Sequence, residues 1–151
     1  MPRPSLFAAL ATTLILILPA PANAQQPLAP HLTAKPALRA SNDALRGGME
    51  ALRDQVLAAQ ERQETLDEAG YLDLAANFAN RLEQISTSQD LHSQSDRHLQ
   101  WLLGDIAESI DMMKSSPRLP VKKLSLKRIA ETLNLYGREY DHPGWQIIPS
   151  H

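Results

Sequence analysis

Large apolar residues recur three and four positions apart through four separate stretches of this chain, the spacing that lines one face of an α-helix. In the first stretch the stripe is Leu45, Met49, Leu52, Val56, Ala59 and Leu66. Ser41-Asn42-Asp43 supplies capping side chains before it, and Gly70 is its expected stop. The second stripe runs from Tyr71 through Leu74, Ala75, Phe78, Leu82 and Ile85. The third carries Leu99, Leu102, Leu103, Ile106, Ile110 and Met113, and Ser115-Ser116-Pro117 closes it. The fourth follows Pro120 and shows Leu126, Ile129, Leu133, Tyr136 and Tyr140. No stretch alternates with the period of two that marks a half-buried strand.

Four such helices joined by short links predict an all-α, antiparallel up-down-up-down four-helix bundle, each helix burying one stripe against the others. Short links make neighbours antiparallel, and this orders the chain in space. The start of the first helix, the link between the second and third, and the end of the fourth share one pole. The first turn and the link between the third and fourth helices share the other.

Outside the stripes, the chain begins with a different pattern. Leu6 to Leu18 is almost unbroken in its apolar character, and Pro19 to Ala24 ends in A-x-A. This is the form of a cleaved secretory signal over residues 1–24. The run is shorter than the roughly 20 residues of a membrane span, so a periplasmic protein with no membrane span after cleavage is expected. Residues 25–40 hold three prolines and no periodicity, and read as a flexible leader. Residues 41–151 are then the bundle with a C-terminal tail, whose Trp145, Ile147 and Ile148 are expected to pack back on it.

Composition narrows the chemistry. The chain has no cysteine, which excludes disulfides, thiolate metal sites and covalent C-x-x-C-H haem attachment. Its 15 Lys and Arg face 17 Asp and Glu. Loss of Arg3 with the signal leaves a net charge of −3 with histidine neutral, so no nucleic-acid footprint exists. There is no G-x-S-x-G elbow, H-E-x-x-H helix or phosphate-cradling glycine loop. Glu50 and Asp54, four apart, read as a solvated face. The chain is not expected to be an enzyme.

Each pole nonetheless holds a group of residues. Lys114, Arg118, Lys122, Lys123, Lys127 and Arg128 lie at one, facing Glu61, Glu64, Asp67, Glu68 and Asp73. The start of the fourth helix is expected to pair there with the end of the first. The opposite pole collects Met49, His92, His98 and His142. Thioether and imidazole are ligands that haem iron and copper accept.

A periplasmic, cysteine-free bundle with G-G-M-E-A-L-R-D at Gly47 to Asp54 and R-H-L-Q-W-L-L-G-D-I at Arg97 to Ile106 resembles cytochrome b562. The resemblance implies a b-type haem held without covalent attachment, with Met49 at the methionine ligand position. The family's fourth helix carries its histidine ligand within Y-H-x-K-Y, whereas this chain has Y-G-R-E-Y, with Gly137 at that position. Two outcomes follow for the vacated space. Trp145 folds back over Gly137 and fills it beside Met49, or it stays open and His142 swings in opposite Met49. The first outcome describes a haem-free periplasmic binding or interaction module, whose partner is an unknown protein or small ligand. The second describes an electron-transfer protein with haem held by Met49 and His142. A third reading is a copper or other metal binder using Met49, His92, His98 and His142.

Overall fold

The computed structural model describes residues 37–89 and 97–149. The signal and most of the leader lie outside the described residues, as does His92. Four helices make up the fold: α1 (Asp43–Glu61), α2 (Glu68–Ser88), α3 (Arg97–Ser115) and α4 (Leu119–Glu139). Successive helices pack on one another and α4 closes back on α1, giving the all-α four-helix bundle. No helix among the described residues is long and apolar enough to cross a membrane.

The helix starts follow local chemistry. Asn42 Oδ1 accepts the Leu45 amide at 2.8 Å, capping α1. Asp67 Oδ1 does the same for the Gly70 amide at the head of α2, also at 2.8 Å. Gly70 is therefore not the stop of the first helix. It sits in the first turn of the second, while α1 ends at Glu61, before the last residue of its stripe, Leu66. Pro120 falls in the first turn of α4, where its missing N–H is no loss.

The four stripes meet in one core that contains Met49, Leu52, Val56, Tyr71, Phe78, Leu102, Ile106, Met113, Leu126, Ile129 and Leu133 with essentially no exposure. Leu66, beyond the end of α1, is only partly buried.

The basic residues at the far pole take three different directions. Lys123 Nζ meets Glu64 at 3.1 Å, the pairing expected between the fourth and first helices. Arg128 turns instead to α3, where it bonds Asp105 and lies 3.6 Å from Glu108. Thr132 also donates to Asp105. Burial alone would raise the Asp105 carboxyl, but these two hydrogen bonds and the Arg128 charge outweigh it and lower its pKa. Lys122 is fully buried, and its Nζ donates to the Met113 carbonyl at 2.7 Å. A cation thus caps the last turn of α3, where unpaired carbonyls and the helix dipole favour it.

Beyond α4 the chain turns back along the bundle. Asn134, buried on α4, donates to the Ile148 carbonyl at 2.9 Å and accepts the Ile148 amide at 2.8 Å. Gln60 of α1 donates to the Pro149 carbonyl at 3.3 Å. Tyr140, His142 and Ile148 are buried, and Trp145 packs partly buried against the core. Ile147 departs from expectation: it is 56% exposed, because neighbours in an extended segment point to opposite sides. The leader is also anchored earlier than its composition implies. Arg39 forms a parallel bridge beside Tyr140, donating to the Glu139 carbonyl and accepting from the Asp141 amide, both at 2.7 Å.

Candidate functional site

The pole where α1 begins and α4 ends gathers most of the protein's unusual side chains. His142-Pro143-Gly144-Trp145 is a tight turn closed by the Trp145 amide on the His142 carbonyl at 3.1 Å. Proline at its second position and Gly144 at φ 85° in its third are the pattern of a type II turn, where a side chain at the third position would be strained. The turn aims both of its end residues inward, and their rings lie 5.1 Å apart.

Both ring nitrogens of His142 are engaged. Its Nδ1 lies 3.0 Å from the Tyr136 hydroxyl and its Nε2 3.0 Å from a Glu50 carboxylate oxygen. A carboxylate only accepts, so Nε2 donates to Glu50, and in that neutral tautomer Nδ1 accepts from the phenol. Tyr136 is fully buried. That burial is the main force pushing its hydroxyl up to about 12, against a smaller downward pull from Ser41 and Arg46. The chain of carboxylate, imidazole and hydroxyl has the order found at activated nucleophiles. Here the hydroxyl is buried and held protonated, so the chain acts as a clasp between α1, α4 and the tail.

Trp145 covers Gly137. A Cβ built on that glycine would stand 2.1 Å from Cδ1 and 2.1 Å from Nε1 of the indole. The indole also meets Tyr136 edge-on with ring centres 5.1 Å apart, and the Arg53 guanidinium lies 5.3 Å from its centre. Its buried Nε1 has no hydrogen-bond partner among the described residues.

From Tyr136 a stack of rings continues outward. Tyr136 stacks on Tyr140 at 4.9 Å, Tyr140 on His98 at 6.0 Å, and His98 on Trp101 at 5.6 Å. His98 also pairs through Nε2 with Glu139 at the end of α4. Trp101 closes the stack at the surface, 55% exposed.

The residues expected to hold a cofactor are therefore arranged as follows. Met49 is fully buried in the core. Gly137 is covered by Trp145, and His142 is bound at both nitrogens. Among the described residues the space beside Gly137 is taken by the indole and His142 has no ring nitrogen left to face iron opposite Met49, so this ligand pair does not fit a haem as it stands. The expected metal pole is divided in the same way: His98 lies against Glu139, His142 bonds Glu50 and Tyr136, and His92 lies outside the described residues. Among the described residues no group of three or more His, Asp or Glu side chains is gathered to hold a metal ion.

Periodicity alone does not mark Glu50 as a site residue. It directly follows the core residue Met49, so it stands at the edge of the buried stripe, where a carboxylate can reach an inward-facing partner. The stripe places Tyr136 in the core, and a fully buried phenol needs a partner for its hydroxyl, which His142 supplies. Comparison with protein-family models, curated proteins and solved structures finds no match to this chain.

Proposed function

We propose that this chain is an exported, haem-free helical bundle that serves as a binding or interaction module in the periplasm. The observation that carries the reading is the seating of Trp145 over Gly137. The resemblance to cytochrome b562 implies an imidazole at this position, where this chain carries a glycine covered by its own tail. The signal-like N-terminus and the absence of cysteine are consistent with an exported protein that uses no thiol chemistry. The Tyr136 hydroxyl and the His142 ring are buried, and only Glu50 at the end of their chain reaches the surface, which does not support catalysis at the hydroxyl.

The test is a visible spectrum of the protein purified from the periplasm of cells supplied with haem precursor. The expected result is no Soret band, with a mature N-terminus at Gln25. A Soret band that disappears in Met49→Ala overturns the reading in favour of an electron carrier. Stoichiometric copper binding that falls in His98→Ala overturns it in favour of a metal binder.

A further inference from the structure

Two paths meet at the fully buried ring of Tyr136. One is the stack of rings through Tyr140 and His98 to Trp101, with successive separations of 4.9, 6.0 and 5.6 Å and its last ring 55% exposed. The other is the hydrogen-bond relay through His142 to Glu50, whose side chain is 47% exposed. The first suits an electron and the second a proton. We propose that Tyr136 is a redox-active tyrosine, giving an electron through Tyr140, His98 and Trp101 to a one-electron oxidant at the surface and its phenolic proton to His142. The inference goes beyond the binding-module reading and does not rest on it, since it uses only the chain's own side chains and an external oxidant.

The step balances within these groups. One electron leaves the Tyr136 ring and reduces the oxidant. The O–H bond breaks, and its proton bonds to Nδ1 of His142, 3.0 Å away, leaving a neutral phenoxyl radical. An imidazole suits this part because it accepts at one nitrogen while donating at the other. The imidazolium keeps its Nε2–H on the Glu50 carboxylate at 3.0 Å, so the new charge is paired as it forms. When an electron returns, the proton goes back along the same hydrogen bond.

Burial makes the relay necessary. An oxidised phenol that kept its proton would be a cation in the core, where an unpaired charge is costly. Tyr71 supplies the contrast. It is also fully buried, but its hydroxyl has no hydrogen-bond partner among the described residues, so no side chain there takes the proton. Trp145 meets Tyr136 edge-on at 5.1 Å, yet it is a poor resting place for the oxidation. The Arg53 guanidinium lies 5.3 Å from its ring centre and opposes a second cation, and its Nε1–H has no acceptor among the described residues. The radical therefore settles on Tyr136.

The test exposes the full mature chain to tris(bipyridine)ruthenium(III), generated by a light flash with a sacrificial cobalt(III) acceptor. The radical is followed by freeze-quench electron paramagnetic resonance. A tyrosyl signal is expected that is lost in Tyr136→Phe. It should form more slowly in heavy water, because a proton moves with the electron. Glu50→Gln keeps an acceptor for Nε2 but removes the balancing charge, and should slow formation by about tenfold, the kinetic equivalent of one charge-assisted hydrogen bond. Trp101→Ala should delay the signal without changing its shape, because only the path is cut. Glu50 and Trp101 both reach the surface, and unchanged circular dichroism checks that each variant is folded.

A tyrosyl signal that survives Tyr136→Phe overturns the proposal and moves the donor to Tyr71 or Tyr140. A tryptophan radical alone overturns it too, since the oxidation then stops short of Tyr136. Formation indifferent to heavy water and to Glu50→Gln leaves the triad a clasp and nothing more. A signal that forms undelayed in Trp101→Ala overturns the path through the stack. If Tyr136→Phe does not fold, heavy water and Glu50→Gln decide the matter by themselves.

Discussion

The indole of Trp145 and the α-carbon of Gly137 are so close that no other residue fits at position 137 without moving the tail, since even a Cβ would lie 2.1 Å from the ring. A glycine inside a helix costs about 1 kcal/mol relative to alanine, and here the packing of the indole offsets that cost. The two residues therefore answer to each other. Gly137→Ala is expected to destabilise the protein by about 1–3 kcal/mol through overpacking. In a Trp145→Ala background the same substitution should stabilise by about 1 kcal/mol, because only helix propensity remains. Urea unfolding of the four proteins measures this reversal of sign. Additive effects would show that the tail does not rest on Gly137 in solution.

The clasp of Glu50, His142 and Tyr136 predicts a pH dependence on the alkaline side. The folded chain holds the Tyr136 hydroxyl protonated up to about pH 12, whereas the unfolded chain holds it only to about 10. Folding thus favours the protonated form. That contribution is fully present below pH 10 and is lost as pH rises through 12. Stability should fall between these values more steeply in the natural protein than in Tyr136→Phe. At pH 7 the same variant leaves the buried Nδ1 without its donor and should cost about 1–3 kcal/mol. Parallel pH profiles would mean that the phenol is solvated.

The core and the Asn42 cap of α1 are legible in the sequence, and the clasp and the Lys122 cap of α3 are not, for a single physical reason. Residues from Leu45 to Ala59, Tyr71 to Ile85 and Leu99 to Met113 that recur at three and four are buried as the periodicity requires, because an apolar side chain has one favourable destination. A charged side chain has several. Lys122 stands four residues before Leu126, on the same stripe as Ile129, Leu133 and Tyr136, although its charge suits the surface beside Lys123 and Lys127. Its position on the stripe was the signal. Glu50 and Asn134 each adjoin a core residue, and their partners, His142 and the Ile148 backbone, come from a tail whose path only packing determines. The end of α1 is ambiguous in the sequence because Gly70 suits a stop and a first turn equally, and Asp67 decides between them by capping the second helix.

Adjacent lysines give the sharpest test of that distinction. Lys123 is partly exposed and bonded to a mostly exposed Glu64, so Lys123→Ala should cost no more than about 1 kcal/mol. Lys122→Ala removes a buried four-carbon stem and leaves the Met113 carbonyl without its donor. It should cost about 2–4 kcal/mol. High salt should narrow the first difference and leave the second unchanged, since buried interactions are screened far less. Equal costs for the two substitutions would return Lys122 to the surface.

Asn134 predicts how the tail detaches. Its amide satisfies both backbone groups of Ile148 in a buried setting, and each would cost about 1–3 kcal/mol if left unpaired there. In Asn134→Ala the tail escapes that cost by peeling outward until water reaches Ile148. The Ile148 amide should then exchange at least about tenfold faster, while amides at Leu103 and Ile106 in α3 keep their protection. The Trp145 amide decides how far the peeling goes. It is held by the His142 carbonyl within the turn, and the turn is held by the separate clasp on Glu50 and Tyr136. Unchanged protection at Trp145 together with loss at Ile148 would show two independent fasteners, one at each end of the tail. Loss at both, with the His142 ring resonances shifting in the same variant, would show that Asn134 holds the whole segment. Faster exchange throughout the four helices would mean that the tail unfolds only together with the core, and that the groove it occupies never opens by itself.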